Sequence, residues 1–202
     1  MKKKLFSGLI ATVLVGFLFV SCSKIPQLEI DTANAAIEEA KSAGAEMYVH
    51  DSYVILVDSM KSVMENIEAQ KSKIFKNYKV EKVNLVNITT LAQEVKQQAI
   101  DKKEQLKQEI LTTISEVNTL IATNRELLKQ APKGKEGASA LVIIGEELNE
   151  IEVLLNLVNK MMEQEEYLGS MDKAKIAKEK ATAINQELQT VISKYKTNVK
   201  GK

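Results

Sequence analysis

A single cysteine, a single histidine, no tryptophan, two prolines and eight glycines among 202 residues leave this chain short of most groups that do chemistry. With Cys22 alone there is no disulfide and no thiolate cluster for a metal. His50 shares no helix with a carboxylate at the Glu-x-x-His spacing that bundle metal sites use, and no serine or cysteine has a plausible histidine base. No glycine-rich phosphate loop is present. These absences argue against an enzyme and against a resident cofactor or metal. The 28 basic and 27 acidic residues are interspersed, as on solvated helix faces, which leaves no nucleic-acid footprint. Past the first residues, basic side chains gather only in the tail, at Lys194, Lys196, Lys200 and Lys202, read as a fraying helix end.

What is present begins with Lys2, Lys3 and Lys4, followed by a short apolar run from Leu5 to Val20 that closes on Phe19-Val20-Ser21-Cys22. A positive stretch, an apolar run shorter than the roughly 20 residues of a spanning helix, and a small residue before a cysteine outline a bacterial lipoprotein signal peptide over residues 1–21. Two other readings compete: a retained transmembrane anchor, for which no stop-transfer pattern follows, and an ordinary secretory signal with an incidental cysteine. Residues 19–22 resemble the lipobox, departing at Phe19, where leucine is usual. The resemblance implies a diacylglyceryl thioether on Cys22 and an acyl chain such as palmitate on its freed amino group. At about 0.8 kcal/mol per buried methylene, one chain binds marginally and two or three hold stably. The expected location is the cell envelope, with Cys22 lipid-anchored and the rest facing the periplasm or the surface. Ser23 in place of an aspartate favours the outer membrane if the cell is Gram-negative.

Loss of the leader removes three lysines, leaving 25 basic against 27 acidic residues, a net charge of minus two. Residues 22–27 read as lipidated cysteine and tether, 28–198 as an all-α, elongated antiparallel bundle of about five helices, and 199–202 as a tail. Pro26 suits the first position of a helix. From there Ile30, Ala33, Ala36, Ile37, Ala40 and Ala43 form a narrow small-residue stripe that Gly44 ends as a C-terminal cap. Ala45 to His50 reads as a loop, with Asp51 or Ser52 capping a second helix whose seam is Tyr53, Leu56, Met60, Val63, Met64, Ile67, Ile74 and Tyr78.

Between Gly44 and Pro132 there is neither glycine nor proline, and the best reversal point is Lys76-Asn77-Tyr78, where Asn77 can turn left-handed. A third helix then runs from about Val80 to Gln130 on Val83, Leu91, Val95, Leu106, Ile110, Ile114, Val117, Ile121 and Leu128, with residues 84–90 a poor helix former that could kink it. Ala131 to Gly137 is the strongest breaker. A fourth helix follows on Leu141, Ile144, Leu148, Ile151, Leu154, Leu155, Val158 and Met162, and Gly169-Ser170 ends it. The fifth opens near Met171-Asp172 and carries Ala174, Ile176, Ala177, Ala181, Ile184, Leu188, Val191, Ile192 and Tyr195, fraying from Thr197. This layout fits two three-helix bundles, 28–104 and 105–198, sharing the long third helix, or one squat bundle with that helix broken near Lys102-Lys103.

The segment Ala35-Ala36-Ile37-Glu38-Glu39-Ala40-Lys41-Ser42-Ala43-Gly44-Ala45-Glu46-Met47-Tyr48 resembles the A-A-I-x-x-A-x-x-A-G-A-x-x-Y signature of a helical domain of unknown function, numbered four-three-nine-eight, found in bacterial envelope lipoproteins. The match covers about Asp31 to Ile100. It implies a location and a helical fold and carries no activity.

Other constellations have plainer readings. Glu146, Glu147, Glu150 and Glu152 flank an apolar seam as solvated residues do, and Met60, Met64, Met161 and Met162 lie on or beside apolar faces as gap-fillers. Two functions remain. The first is a structural, spacer or adaptor lipoprotein that meets the membrane through Cys22 and holds an envelope protein partner. The second is an envelope binding module that takes a lipid, an apolar ligand or a partner helix in a groove. Surplus apolar positions on the third helix would also suit a homo-oligomer.

Overall fold

A computed structural model describes residues 24–132 and 137–200, and among them every regular element is a helix. In order these are α1 (Gln27–Ser42), the single turn α2 (Ala45–Tyr48), α3 (His50–Lys71), α4 (Lys79–Gln130), α5 (Gly137–Glu163) and α6 (Tyr167–Lys200). The all-α bundle and its one long helix are as the sequence implies. The signal peptide, Cys22 and residues 133–136 of the breaker from Ala131 to Gly137 lie outside the described residues.

The reason α4 runs unbroken for 52 residues is legible in its buried positions. Glu81, Leu85, Ile88, Ala92, Val95 and Ala99 recur at alternating steps of four and three; Leu106 keeps that register, and Ile110, Val117, Ile121 and Asn124 continue it displaced by one residue. Each half is a seam of period 3.5, the coiled-coil repeat, and the extra step of four between Leu106 and Ile110 is a stutter that joins them. Residues 84–90 neither kink the helix nor delay its start, because Leu85 and Ile88 are held in the core and Thr89 Oγ1 donates to the Leu85 carbonyl. The break near Lys102-Lys103 is absent too: both are helical and half-buried. At about 1.5 Å per residue α4 is roughly 78 Å long.

The other helices pack along α4. Glu29 pairs with Lys82 at 2.9 Å and Glu39 with Lys96 at 2.9 Å, so α1 runs parallel to the first half of α4, with α3 antiparallel between them in sequence. Glu116 pairs with Lys178 at 2.6 Å, and Asn124 Nδ2 donates to the Ala181 carbonyl at 2.7 Å, so α6 runs parallel to the second half. Here α5 is the antiparallel member, tied to α4 by Arg125 and Glu152 at 3.0 Å. The two parallel neighbours present alanines, Ala33, Ala36 and Ala40 on α1 and Ala174, Ala177 and Ala181 on α6. Small side chains let their backbones approach α4 more extensively than the bulky faces of α3 and α5 do. Among the described residues neither α1 nor α3 packs its backbone against α5 or α6. One apolar cluster covers Ile30 to Ala99, a second Val117 to Ile192, and a small third one, around Leu106, Ile110, Val158, Met171 and Ala174, joins them.

Several local expectations are corrected. Ala45 to His50 is not a loop: it forms the turn α2, and His50 opens α3 behind Val49, so neither Asp51 nor Ser52 caps that helix. α3 ends at Lys71, which leaves Ile74 exposed and moves Tyr78 to the residue before α4. Asn77 does not turn left-handed; its Oδ1 instead accepts from the Lys79 amide at 3.1 Å. Val83 faces solvent where Leu85 faces the core. Gly169-Ser170 does not end α5. The reversal lies at Gln164-Glu165-Glu166, and α6 starts at Tyr167 and continues through Thr197 to Lys200. Gly169 is helical, and a Cβ there would come within 2.6 Å only of Met161 Cε, the free end of a flexible side chain.

Candidate functional site

Three places combine exposed or unusually placed groups. The first is the end at which α1 and α4 begin. The Glu29–Lys82 pair sets those two starts side by side and holds the Glu29 carboxyl below its ordinary range, chiefly through the hydrogen bond from Lys82. The α3–α4 connection, residues 72–78, crosses the same end. Tyr78 is buried to 1% exposure and plugs the first apolar cluster, whereas Phe75 is 77% exposed and Ile74 88%. Leu28, at 76%, and Val80, at 66%, flank them in the first turns of α1 and α4. Tyr78 Oη and Glu81 Oε2, both buried here, have no hydrogen-bond partner.

Lysines surround this apolar end. Between positions 71 and 82 stand Lys71, Lys73, Lys76, Lys79 and Lys82 against one carboxylate, the buried Glu81. The tail is therefore not the one basic cluster beyond the first residues. These lysines fall on a helix end, a loop and a helix start. Lys71 pairs with Glu68 and Lys82 with Glu29.

The second place is the waist, where the α1–α3 corner meets the α5–α6 turn. Gly44 takes a left-handed φ of 91°, its amide donating to the Lys41 carbonyl at 2.8 Å, so it caps α1 as expected. Tyr48 Oη donates to the Glu165 carbonyl at 3.3 Å, and Lys103 Nζ lies 5.5 Å from the Tyr48 ring centre and 3.9 Å from Glu165 Oε2. Burial, with Tyr167 adding to it, raises the Tyr48 hydroxyl above its ordinary pKa. Glu165 itself has φ 60°, unusual for a residue with a side chain.

The third is an open groove of about 580 Å³ between α3 and α4, with Ile55, Val63, Ile88 and Leu91 as its apolar wall and Asp58, Ser59, Asn84 and Asn87 as its polar one.

Cys22 lies outside the described residues, three positions before Ile25. His50 sits at the start of α3 with Nδ1 3.2 Å from the Glu46 carbonyl. Glu150 and Glu152 pair with Lys180 and Arg125 across helices, and Met60 is in the core. Among the described residues no three histidine, cysteine or acidic side chains converge as metal ligands, and no helix is long and apolar enough to cross a membrane. No family model, no curated protein and no solved structure matches this chain.

Proposed function

We propose that this chain is a non-enzymatic lipoprotein of the bacterial cell envelope, held at a membrane by acyl chains on Cys22 and acting as a spacer or adaptor for an envelope protein partner. The observation that carries the reading is α4, one helix whose unbroken seam organises both halves of the bundle while its length holds them apart. Apolar clusters that follow one another along α4 suit mechanical spacing. The cell-envelope location rests on the leader and Cys22, and the likeness of the α1–α2 corner to an envelope lipoprotein domain belongs to the same proposal.

Replacing Cys22 by serine tests the anchor. Acyl labelling of the chain should be lost and the protein should leave the membrane fraction; full membrane retention without acyl label would overturn the reading. Crosslinking from the anchored protein then identifies the partner. The groove between α3 and α4 supports a second reading, an envelope binding module for a lipid, apolar ligand or partner helix, because its wall is apolar and open.

A further inference from the structure

We infer that the α3–α4 connection is a membrane contact: Ile74 and Phe75 enter the headgroup region of an anionic bilayer, beside the Cys22 anchor, with the surrounding lysines on lipid phosphates. The inference rests on the Cys22 reading for its geometry and adds a site to it.

Covalent reach fixes which end of the rod faces the membrane. Ile25 is three positions after Cys22, and an extended chain covers at most about 3.6 Å per residue, so the anchor stays within roughly 11 Å of Ile25. Ile25 enters α1, α1 begins beside α4 through Glu29 and Lys82, and residues 72–78 connect directly into α4. The far end of a rod about 78 Å long is out of reach.

The choice of side chains is the second argument. One short connection holds two aromatic residues, and folding has buried the one with a hydroxyl, leaving that hydroxyl unpaired, while the wholly apolar Phe75 stays in solvent. Burial alone would favour the opposite choice. The connection is pinned on both sides, by the Lys73 amide donating to the Gln70 carbonyl and by Asn77 accepting from Lys79, so the crest between them is presented outward. Apolar side chains at a crest ringed by lysines, whose stems snorkel while their ammonium groups reach phosphates, match an interfacial membrane contact. The convex crest offers little surface for a protein partner, which needs about 800 Å² on each side. A lipid surface needs no complementary shape. The charge fits the same occupant, since basic side chains near an anionic leaflet are each attracted to it.

The absence of tryptophan allows a direct test. The full lipidated chain carrying Phe75→Trp is reconstituted into vesicles of phosphatidylcholine alone or with phosphatidylglycerol, each with and without brominated acyl chains. Emission from Phe75→Trp should shift to the blue and be quenched by the brominated lipid, more strongly with phosphatidylglycerol. A chain carrying Val153→Trp, on the exposed face of α5, should show neither effect. Neutralising Lys73 and Lys76 to glutamine should weaken insertion into the anionic vesicles about 25-fold, at roughly fivefold per lysine. Unshifted, unquenched emission from Phe75→Trp on vesicles that retain the protein overturns the proposal. So does a blue shift that needs no vesicles and grows with protein concentration, which would assign the crest to a second copy of the chain. Mass analysis of the acyl group on the same preparation decides the Cys22 reading separately.

Discussion

Gly44 and Glu165 face each other across the waist, and both occupy the left-handed region of backbone space. For Gly44 this is free of steric cost, and the site uses the missing side chain twice. A Cβ would lie 2.9 Å from Tyr48 Cδ2 and 3.3 Å from Lys103 Cε, so the turn and the aromatic contact share one requirement. Gly44→Ala should therefore destabilise the chain by about 1–2 kcal/mol from the backbone alone, with the ring contact adding to it. Glu165 bears that backbone cost with little in return, since its carboxylate is 3.9 Å from Lys103 and largely exposed, and such pairs contribute about 0–1 kcal/mol. Its useful group is the carbonyl that receives Tyr48, which glycine would keep. Glu165→Gly should be neutral or stabilising by up to about 1 kcal/mol. Urea midpoints of the two variants check both signs; a stabilising Gly44→Ala would refute the assignment. A buried polar residue sets the register further along, where Asn124 donates to the Ala181 carbonyl and accepts from Asn185 at 2.7 Å, an arrangement that a one-turn slip of α6 would leave unpaired.

At the level of elements, the waist depends on α4 passing through it unbroken. Lys107 is exposed, yet its amide lies one turn after Lys103, the residue on which the two corners converge. Lys107→Pro removes the helical bond to the Lys103 carbonyl and should cost about 3 kcal/mol or more. Lys107→Ala should stay within about 0.5 kcal/mol of the parent chain. Equal stability of the two variants in thermal unfolding would mean that continuity contributes nothing there. Much of this helix was legible in the sequence, because an apolar seam at steps of three and four without glycine or proline admits few other structures. The α5–α6 reversal was not. Gln164, Glu165 and Glu166 are good helix formers, and the visible breaker, Gly169, lies inside the first turn of α6. There tertiary packing overrides propensity, and only the fold places the Tyr48 hydroxyl where Glu165 must turn. The lysines of the crest were legible, five within residues 71–82; the exposure of Ile74 and Phe75 beside a buried Tyr78 was not, because helix α3 ends earlier than its apolar spacing implies.

For the whole molecule the decisive property is that its apolar clusters are arranged in file. Among the described residues, the helices of the first half touch those of the second only through α4 and the waist side chains. A compact chain of about 180 residues would have a radius of gyration near 16 Å, whereas a rod set by a helix of about 78 Å and a three-helix cross-section gives about 25 Å. Small-angle scattering from the chain beginning at Ser23 should give the larger value, with a cross-section of one three-helix bundle along the whole length. A value near 16 Å would mean that the halves collapse together, and with that the spacer reading would lose its physical basis. A value well above 25 Å that rises with concentration would instead indicate end-to-end association. The exposed crest of Ile74 and Phe75 would be the first face to examine, because it is the apolar end that a membrane covers in the proposed arrangement and that solution leaves bare.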